Sequence, residues 1–290
     1  MRVRVARHKR YVPALVQPVT IEAMAKDSSP PAIITLTTDF GEGSRYVAAM
    51  KGVVLAINPH AQIVDISHVV PHQDIRSGAI VLAETTRWFP PETVHIAVVD
   101  PGVGSSRRIV YARMGRQQFI APDNGLLSGV AKLEVPSKIV CLTKPEYWLG
   151  EVSHTFHGRD IMAPVAARLS LGLPPDDLGE TCDQLIELPW PEAQQVPNRI
   201  EGEVVEVDSF GNLITNITRE MLRGVPTSEN VLVSCEEHET QGIFATYSDQ
   251  PPMTFMAHVG STGRLELAIV DENASAMLGV RVGASVRVSW

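Results

Sequence analysis

Between Ile33 and Leu169 the sequence alternates two hydrophobic periodicities, and this alternation constrains the fold more than any other feature. The apolar runs IITLT (33–37), IVDIS (63–67), VHIAVVD (94–100) and KIVCLT (138–143) read as buried strands. Between them, SRYVAAMKGVVLAI (44–57) and SGAIVLAETTRWF (77–89) carry helical spacing. Strands interleaved with helices predict an α/β domain in which helices cover a largely parallel sheet. A further helix is expected from DIMAPVAARLSLG, with Asp160 placed to cap its start.

The pattern then changes. LPWPEAQQVPN (188–198) carries three prolines and reads as a linker. Beyond it lie the short runs IEGEVVEVD, VLVSC, GIFATY, TFMAHV, RLELAIV and VRVGASVRVSW, separated by turn residues, which predict an all-β barrel or sandwich. The expected organisation is a basic flexible extension at 1–30, an α/β domain at 31–187, a linker at 188–198 and a β-barrel domain at 199–290. The extension holds Arg2, Arg4, Arg7, Lys9, Arg10 and Lys26 against Glu22 and Asp27. A transit-type peptide and a later start at Met24 are the other readings of this segment.

Composition excludes several classes. A chain of 290 residues, 44% hydrophobic, can bury a large core. Its formal charge of -8 argues against a general nucleic-acid binder. No run approaches the roughly 20 apolar residues of a membrane span, and no secretory signal is evident. Cys141, Cys182 and Cys235 lie far apart without C-x-x-C spacing, so neither a zinc site nor a disulfide is expected, and the compartment reads as reducing and cytoplasmic. Neither G-x-G-x-x-G after the first strand nor a P-loop is present.

In open α/β folds, reactive side chains collect at the carboxyl ends of strands. Polar residues gather at several such ends here: Asp39; His68, His72, Asp74 and Arg76; Asp100 and Arg107; Asp123 and Asn124; and His157, Arg159 and Asp160. Each has an architectural reading. Asp100 and Arg107 could be a surface ion pair, Asp39 and Asp123 turn formers, Asp160 a helix cap, and the histidines core groups. Their accumulation at one edge points instead to a site. A metal-dependent hydrolase would need three or more ligands, and no H-E-x-x-H or H-x-H-x-D spacing supplies them. The alternative is a metal-free pocket for a small ligand, with Asp39 suited to accept from ribose-like hydroxyls.

The stretches TLTTDFG, INPHAQIVDISH, VVDPGVGSSRR, APDNGLL, FHGRDIMAPVAARL, VDSFGNLITNI and GSTGRLELA, in this order from about Ile33 onward, resemble the S-adenosylmethionine hydroxide adenosyltransferases, or adenosylmethionine hydrolases, relatives of the fluorinase and chlorinase. The resemblance implies an N-terminal α/β domain, a C-terminal β-barrel, and a homotrimer with active sites between neighbouring subunits. It implies hydrolysis of S-adenosyl-L-methionine to adenosine and L-methionine by water attacking ribose C5′, with no cofactor and no metal. The implied water-handling triad is Asp100, Arg107 and His157. Implied substrate contacts are Asp39 at the ribose diol; Phe156; Asp208, Phe210 and Asn212 from the neighbouring subunit; and Ser261 and Glu266 at the methionine end. A barrel salt bridge is the other reading of Glu266. The chain reads DENASA where relatives often have glycine in the adenine-side loop.

The halide-using relatives carry tyrosine or small polar residues where this chain has Asp100, and an anion there would repel halide. Water is therefore the expected nucleophile. A sulfonium leaves as a neutral thioether and needs no general acid, so the enzyme's task is to position and partly desolvate the nucleophile. An aspartate beside a guanidinium is a weak base, which leaves the proton acceptor open between Asp100 and neutral His157. A module that binds S-adenosylmethionine or adenosine without turnover and a chlorinase-like enzyme are the competing functions.

Overall fold

The apolar runs of the first half form a six-stranded sheet: β1 (Ile33–Thr38), β2 (Gln62–Ser67), β3 (Val94–Val98), β4 (Ile109–Met114), β5 (Gln117–Pro122) and β6 (Pro136–Cys141), in the spatial order β2-β1-β3-β5-β4-β6. The structure, a computed structural model, describes residues 31–227 and 229–290; the basic extension expected at 1–30 lies outside the described residues. Strands β2, β1, β3 and β5 run parallel, while β4 runs against both its neighbours. The sheet is covered on both faces, which is why its central strands β1 and β3 are buried nearly throughout rather than alternating, while the edge strand β2 is half exposed. On one face α1 (Arg45–Ile57) and α4 (Ala163–Leu169) bury Met50, Val54 and Val165 against Ile34 and Ile96. On the other, α2 (Ile75–Thr85) and α3 (Ser128–Leu133) bury Leu82 and Val130 with Ala97 and Val110. Fully burying such side chains stabilises by roughly 1.5–3 kcal/mol each.

The connections fix where a ligand can sit. The chain leaves β1 through α1 to β2 on one side and returns through α2 to β3 on the other. The carboxyl ends of β1 and β3 therefore face a topological switch point, the crevice where open α/β sheets bind ligands.

The second half forms an antiparallel sheet from β7 (Gln194–Val196), β8 (Arg199–Val207), β9 (Leu213–Thr218), β10 (Leu232–Cys235), β11 (His238–Gln241), β12 (Phe255–Val259), β13 (Arg264–Ile269) and β14 (Ser285–Ser289). Its order is β11-β10-β14-β8-β9-β13-β12, with β7 added beside β8. Phe244 N–H donates to the Ala257 carbonyl at 2.8 Å, linking the chain just beyond β11 to β12 and bringing the sheet close to closure as a barrel. A short helix, α5 (Ala274–Leu278), is capped by Asn273. No helix among the described residues is long and apolar enough to cross a membrane.

Four expectations change. Cys141 and Cys182 form a disulfide across a separation of 41 residues. The segment at 180–182 pairs with β6, through Cys141 N–H to the Glu180 carbonyl and Cys182 N–H to the Ile139 carbonyl, and so brings distant thiols together. The thiols therefore give no support to a reducing compartment. Asp160 is not an exposed cap: it is fully buried in a π-helical turn (Gly158–Met162), paired with Arg159 and accepting from the Ser153 N–H at 2.8 Å. GIFATY contributes a single bridge at Phe244 instead of a strand. The stretch 188–198 is not wholly linker, because β7 lies within it.

Candidate active site

The loop after β3 is built by its glycines and prolines. Val103 N–H turns back to the Asp100 carbonyl at 3.2 Å, and Ser105 N–H to the Gly102 carbonyl at 3.1 Å. Gly104 has φ +81°, and a Cβ there would lie 2.5 Å from the His154 carbonyl oxygen. Only glycine allows both that backbone conformation and that approach. The contact joins the loop carrying Arg107 to the one carrying His157. From the other side, Asn124 donates its side-chain N–H to the Val99 carbonyl at 2.9 Å and steadies the residue before Asp100.

These loops bring Asp100, Arg107 and His157 together. Arg107 Nε lies 2.6 and 2.8 Å from the two Asp100 carboxylate oxygens, and its Nη2 also bonds Oδ2. The same Nη2 donates to His157 Nδ1 at 3.1 Å. Only 4% of the Asp100 side chain and 9% of that of Arg107 is exposed, so this is no surface ion pair. Guanidinium has no acceptor, so His157 Nδ1 must present its lone pair and a neutral ring carries its proton on Nε2. Burial and the positive charge of Arg107 hold the His157 pKa below its ordinary value, and Asp100 opposes them. The neutral ring is the form the site favours.

Asp100 and His157 line a cavity of about 420 Å³, with Arg107 behind them. Asp39 lines it from the end of β1, and Phe156, Phe40 and Tyr46 form an aromatic wall, with Phe156 edge-on to Tyr46 at 5.2 Å between ring centroids. One Asp39 oxygen accepts the Gln73 N–H at 2.9 Å. Among the described residues no group of three or more His, Cys, Asp or Glu side chains is arranged to hold a metal ion.

The barrel residues lie elsewhere. Asp208 accepts the N–H groups of Phe210 and Asn212 at 2.9 and 2.8 Å, and the Asn212 side-chain N–H at 2.9 Å, which folds DSFGN into a tight bracket. Phe210 and Asn212 line a second cavity with Tyr247 and Asn273, and Phe210 is 76% exposed. A Cβ on Gly211 (φ +87°) would collide with Asn273, so the DENASA loop packs directly against the bracket. No residue lines both this cavity and the Asp100 cavity.

Ser261 and Glu266 line neither cavity. Ser261 is exposed on the β12–β13 turn, and Glu266 is buried 3.5 Å from His258. Burial pushes the Glu266 carboxyl up to about 7, with Asp208 and Glu84 adding to the shift, and lowers the His258 pKa. Both shifts favour neutral forms, so proximity here does not make a firm ion pair. Sequence reading missed Phe40, Tyr46, Tyr247 and Asn273 as cavity walls. Phe40 directly follows Asp39 and could have been found from that position; Tyr247 carries no comparable motif.

Two sequence models decide the family. That of the SAM hydroxide adenosyltransferase N-terminal domain matches residues 34–179, and that of the C-terminal domain matches residues 202–287. The chain belongs to the SAM hydroxide adenosyltransferase family. Within it, the chain is 40% identical over 260 residues to an (R)-S-adenosyl-L-methionine hydrolase of Salinispora arenicola, covering 88% of this chain and 97% of that one. It is 36% identical over 264 residues to the enzyme of that name from Thermus thermophilus, covering 87% and 97%. A fluorinase of Nocardia brasiliensis is more distant, at 26% over 288 residues, covering 88% and 96%. The crystal structure of an uncharacterised conserved protein from Thermotoga maritima superposes with a TM-score of 0.82 at 35% identity, covering 89% of this chain and all of that one. The SAM hydroxide adenosyltransferase fold is thus shared along nearly the whole described chain.

Proposed function

We propose that this chain hydrolyses S-adenosyl-L-methionine to adenosine and L-methionine, with a water held by Asp100, Arg107 and His157 attacking ribose C5′ and without a metal. The observation that carries the mechanism is the buried Asp100–Arg107–His157 network at the mouth of the β1/β3 crevice. Arg107 occupies the Nδ1 lone pair of His157, so in this protonation state the Asp100 carboxylate is the proton acceptor and His157 orients the water through Nε2–H. Displacement of a neutral thioether requires no Lewis acid at the leaving group. Asp39 holds the ribose diol, with the Phe40, Tyr46 and Phe156 wall beside the sugar.

The relatives' names specify the (R)-sulfonium epimer, and we extend that preference to this chain. The exposed Phe210 and its separate cavity support a site completed by the neighbouring subunit of a homotrimer, with Asp208, Phe210 and Asn212 facing the adenine and methionine ammonium. Ser261 and Glu266 remain assigned to the methionine end in that assembly. The proposed compartment is the cytoplasm, and the domain limits are 31–187 and 199–290 around the 188–198 strap.

The test incubates the purified protein with each sulfonium epimer in chelator, in H₂¹⁸O, with and without high chloride. Adenosine labelled at C5′ and methionine, formed faster from the (R) epimer, are expected. A chlorinated nucleoside would move the chain to halide chemistry, loss of turnover in chelator would reinstate a metal, and binding without turnover would make it a binding module.

A further inference from the structure

A cleft of about 400 Å³ separates the α/β half from the barrel half, away from both cavities described above. Helix α2 lines it with Ile80, Ala83 and Glu84 on one helical face, Arg87 follows from the 3-10 turn Thr86–Trp88 just beyond the helix, and the 188–198 strap contributes Trp190. Thr262 and Arg264 approach from the barrel. Its volume falls in the range of roughly 300–1,000 Å³ typical of small-molecule sites.

Three lining residues hold buried polar atoms without a hydrogen-bond partner: Glu84 Oε1, Trp190 Nε1 and Thr262 Oγ1. Buried polar groups are ordinarily satisfied, so an acceptor and two donors left open around one cavity point to a missing occupant. Arg264 reaches Glu84 at only 4.0 Å, a loose ion pair. Arg87 stacks its guanidinium over Trp88 at 5.0 Å and has no ion-pair partner among the described residues. The cleft therefore offers an incompletely neutralised carboxylate, a free guanidinium, two hydrogen-bond donors, and apolar walls from Ile80, Ala83 and Met221.

We propose that this cleft is a second small-molecule site that takes an α-amino acid with an unbranched apolar side chain, the methionine released by the enzyme's own reaction being the nearest member of that class. The ammonium would meet Glu84 Oε1, and the carboxylate Arg87 with the Trp190 and Thr262 donors. The side chain would lie along Ile80, Ala83 and Met221, where a thioether gains from contact with the Trp190 ring. Burial raises the Glu84 pKa, and an ammonium beside it would relieve that unfavourable burial. The choice of methionine rests on the proposed hydrolysis; the amino-acid chemistry of the cleft does not.

The test is calorimetric titration of the full chain with L-methionine, L-norleucine and L-aspartate in the absence of S-adenosylmethionine. Wild type is expected to bind the first two and not the third. Glu84→Gln is expected to weaken methionine binding at least about tenfold, the scale of one charge-assisted hydrogen bond. Trp190→Phe, which keeps the ring and removes the N–H, is expected to weaken it severalfold and serves if Glu84→Gln misfolds. Both variants should turn over S-adenosylmethionine within about twofold of wild type when no methionine is added. Unchanged methionine affinity in both variants, or only ordered water in the cleft of methionine-soaked crystals, would overturn the proposal. Loss of turnover in wild type with cleft binding intact would remove the hydrolase reading and leave the amino-acid site standing.

Discussion

The triad cavity and the barrel cavity differ in how complete they are. The one at the β1/β3 edge is wired internally: Asp100 and Arg107 are nearly buried, and each has its partners within the same domain. The one on the barrel presents Phe210 to solvent, while Asp208 spends its carboxylate on its own loop. The first has the character of a reaction site, where pre-set electrostatics matter most, and the second that of a recognition surface awaiting a partner. Under the proposed function, chemistry and recognition are prepared in different halves of one chain.

The sharpest way to break this division is at the triad. Asp100→Ala is expected to lower kcat by roughly 10²-fold or more with substrate affinity nearly unchanged, measured by single-turnover kinetics and calorimetry. Wild-type turnover would remove Asp100 from the mechanism. Phe210→Ala should do the reverse, raising KM about tenfold, as for a buried aromatic anchor, while kcat changes little. Mixing the two inactive or weakened variants and reassembling them should recover activity if each site draws one half from each of two subunits, and should recover none if every site lies within a single chain.

The pH profile offers a finer cut. His157 is held neutral by a pKa below the ordinary 6.5, so protonation sets in only as the pH falls past that value, where it destroys the Arg107 contact. The acid limb of kcat should have its midpoint below about 6.5. In Asp100→Asn the charge that raises the His157 pKa is gone, and any residual activity should show a limb shifted further toward acid. A limb above 6.5 would contradict the neutral-ring assignment.

Gly104→Ala tests how the loops are held. Its Cβ meets the His154 carbonyl at a positive φ, so a lowered melting temperature and reduced kcat are expected together, at a cost of about 1–3 kcal/mol in stability. The smallest effect concerns the thiols. With Cys141 and Cys182 paired, titration of the denatured, unreduced protein should find one thiol, the buried Cys235. Three thiols would show that the pair does not form.

Much of the α/β half was legible because the central predicted strands, β1 and β3, are buried nearly throughout and the edge strand β2 still carries an apolar run, while each helix carries its apolar stripe. Strand β4 was harder to see, since RRIVYARM begins and ends among arginines, although its centre at Val110–Ala112 is fully buried. Asp160 misled because an acid before an apolar run usually caps a helix, whereas here its neighbour Arg159 neutralises it inside a π-turn. The disulfide was invisible to spacing rules, because only strand pairing at 180–182 reveals that its partners are adjacent. The triad residues were readable from the strand-end loops and the motifs they carry. Phe210 was reached through its DSFGN motif, whereas Tyr247 beside it was not, because an exposed aromatic on a barrel loop without a motif declares its purpose only when a second surface covers it.

The reversed direction of β4 has a consequence for how such an enzyme can be altered. A backward strand begins at the edge where its parallel neighbours end, so the chain passes from β3 over β5 to β4 without leaving that edge. The crossing spans two strand spacings, roughly 10 Å, and Asp100 and Arg107 stand at its two feet. The sheet thus sets the short distance the loop must cover, and the turns at Val103 and Ser105 fold the intervening residues so that the two side chains meet. An engineer seeking a new nucleophile on this scaffold has side-chain identity to work with at the feet of that crossing, whose positions the sheet already fixes.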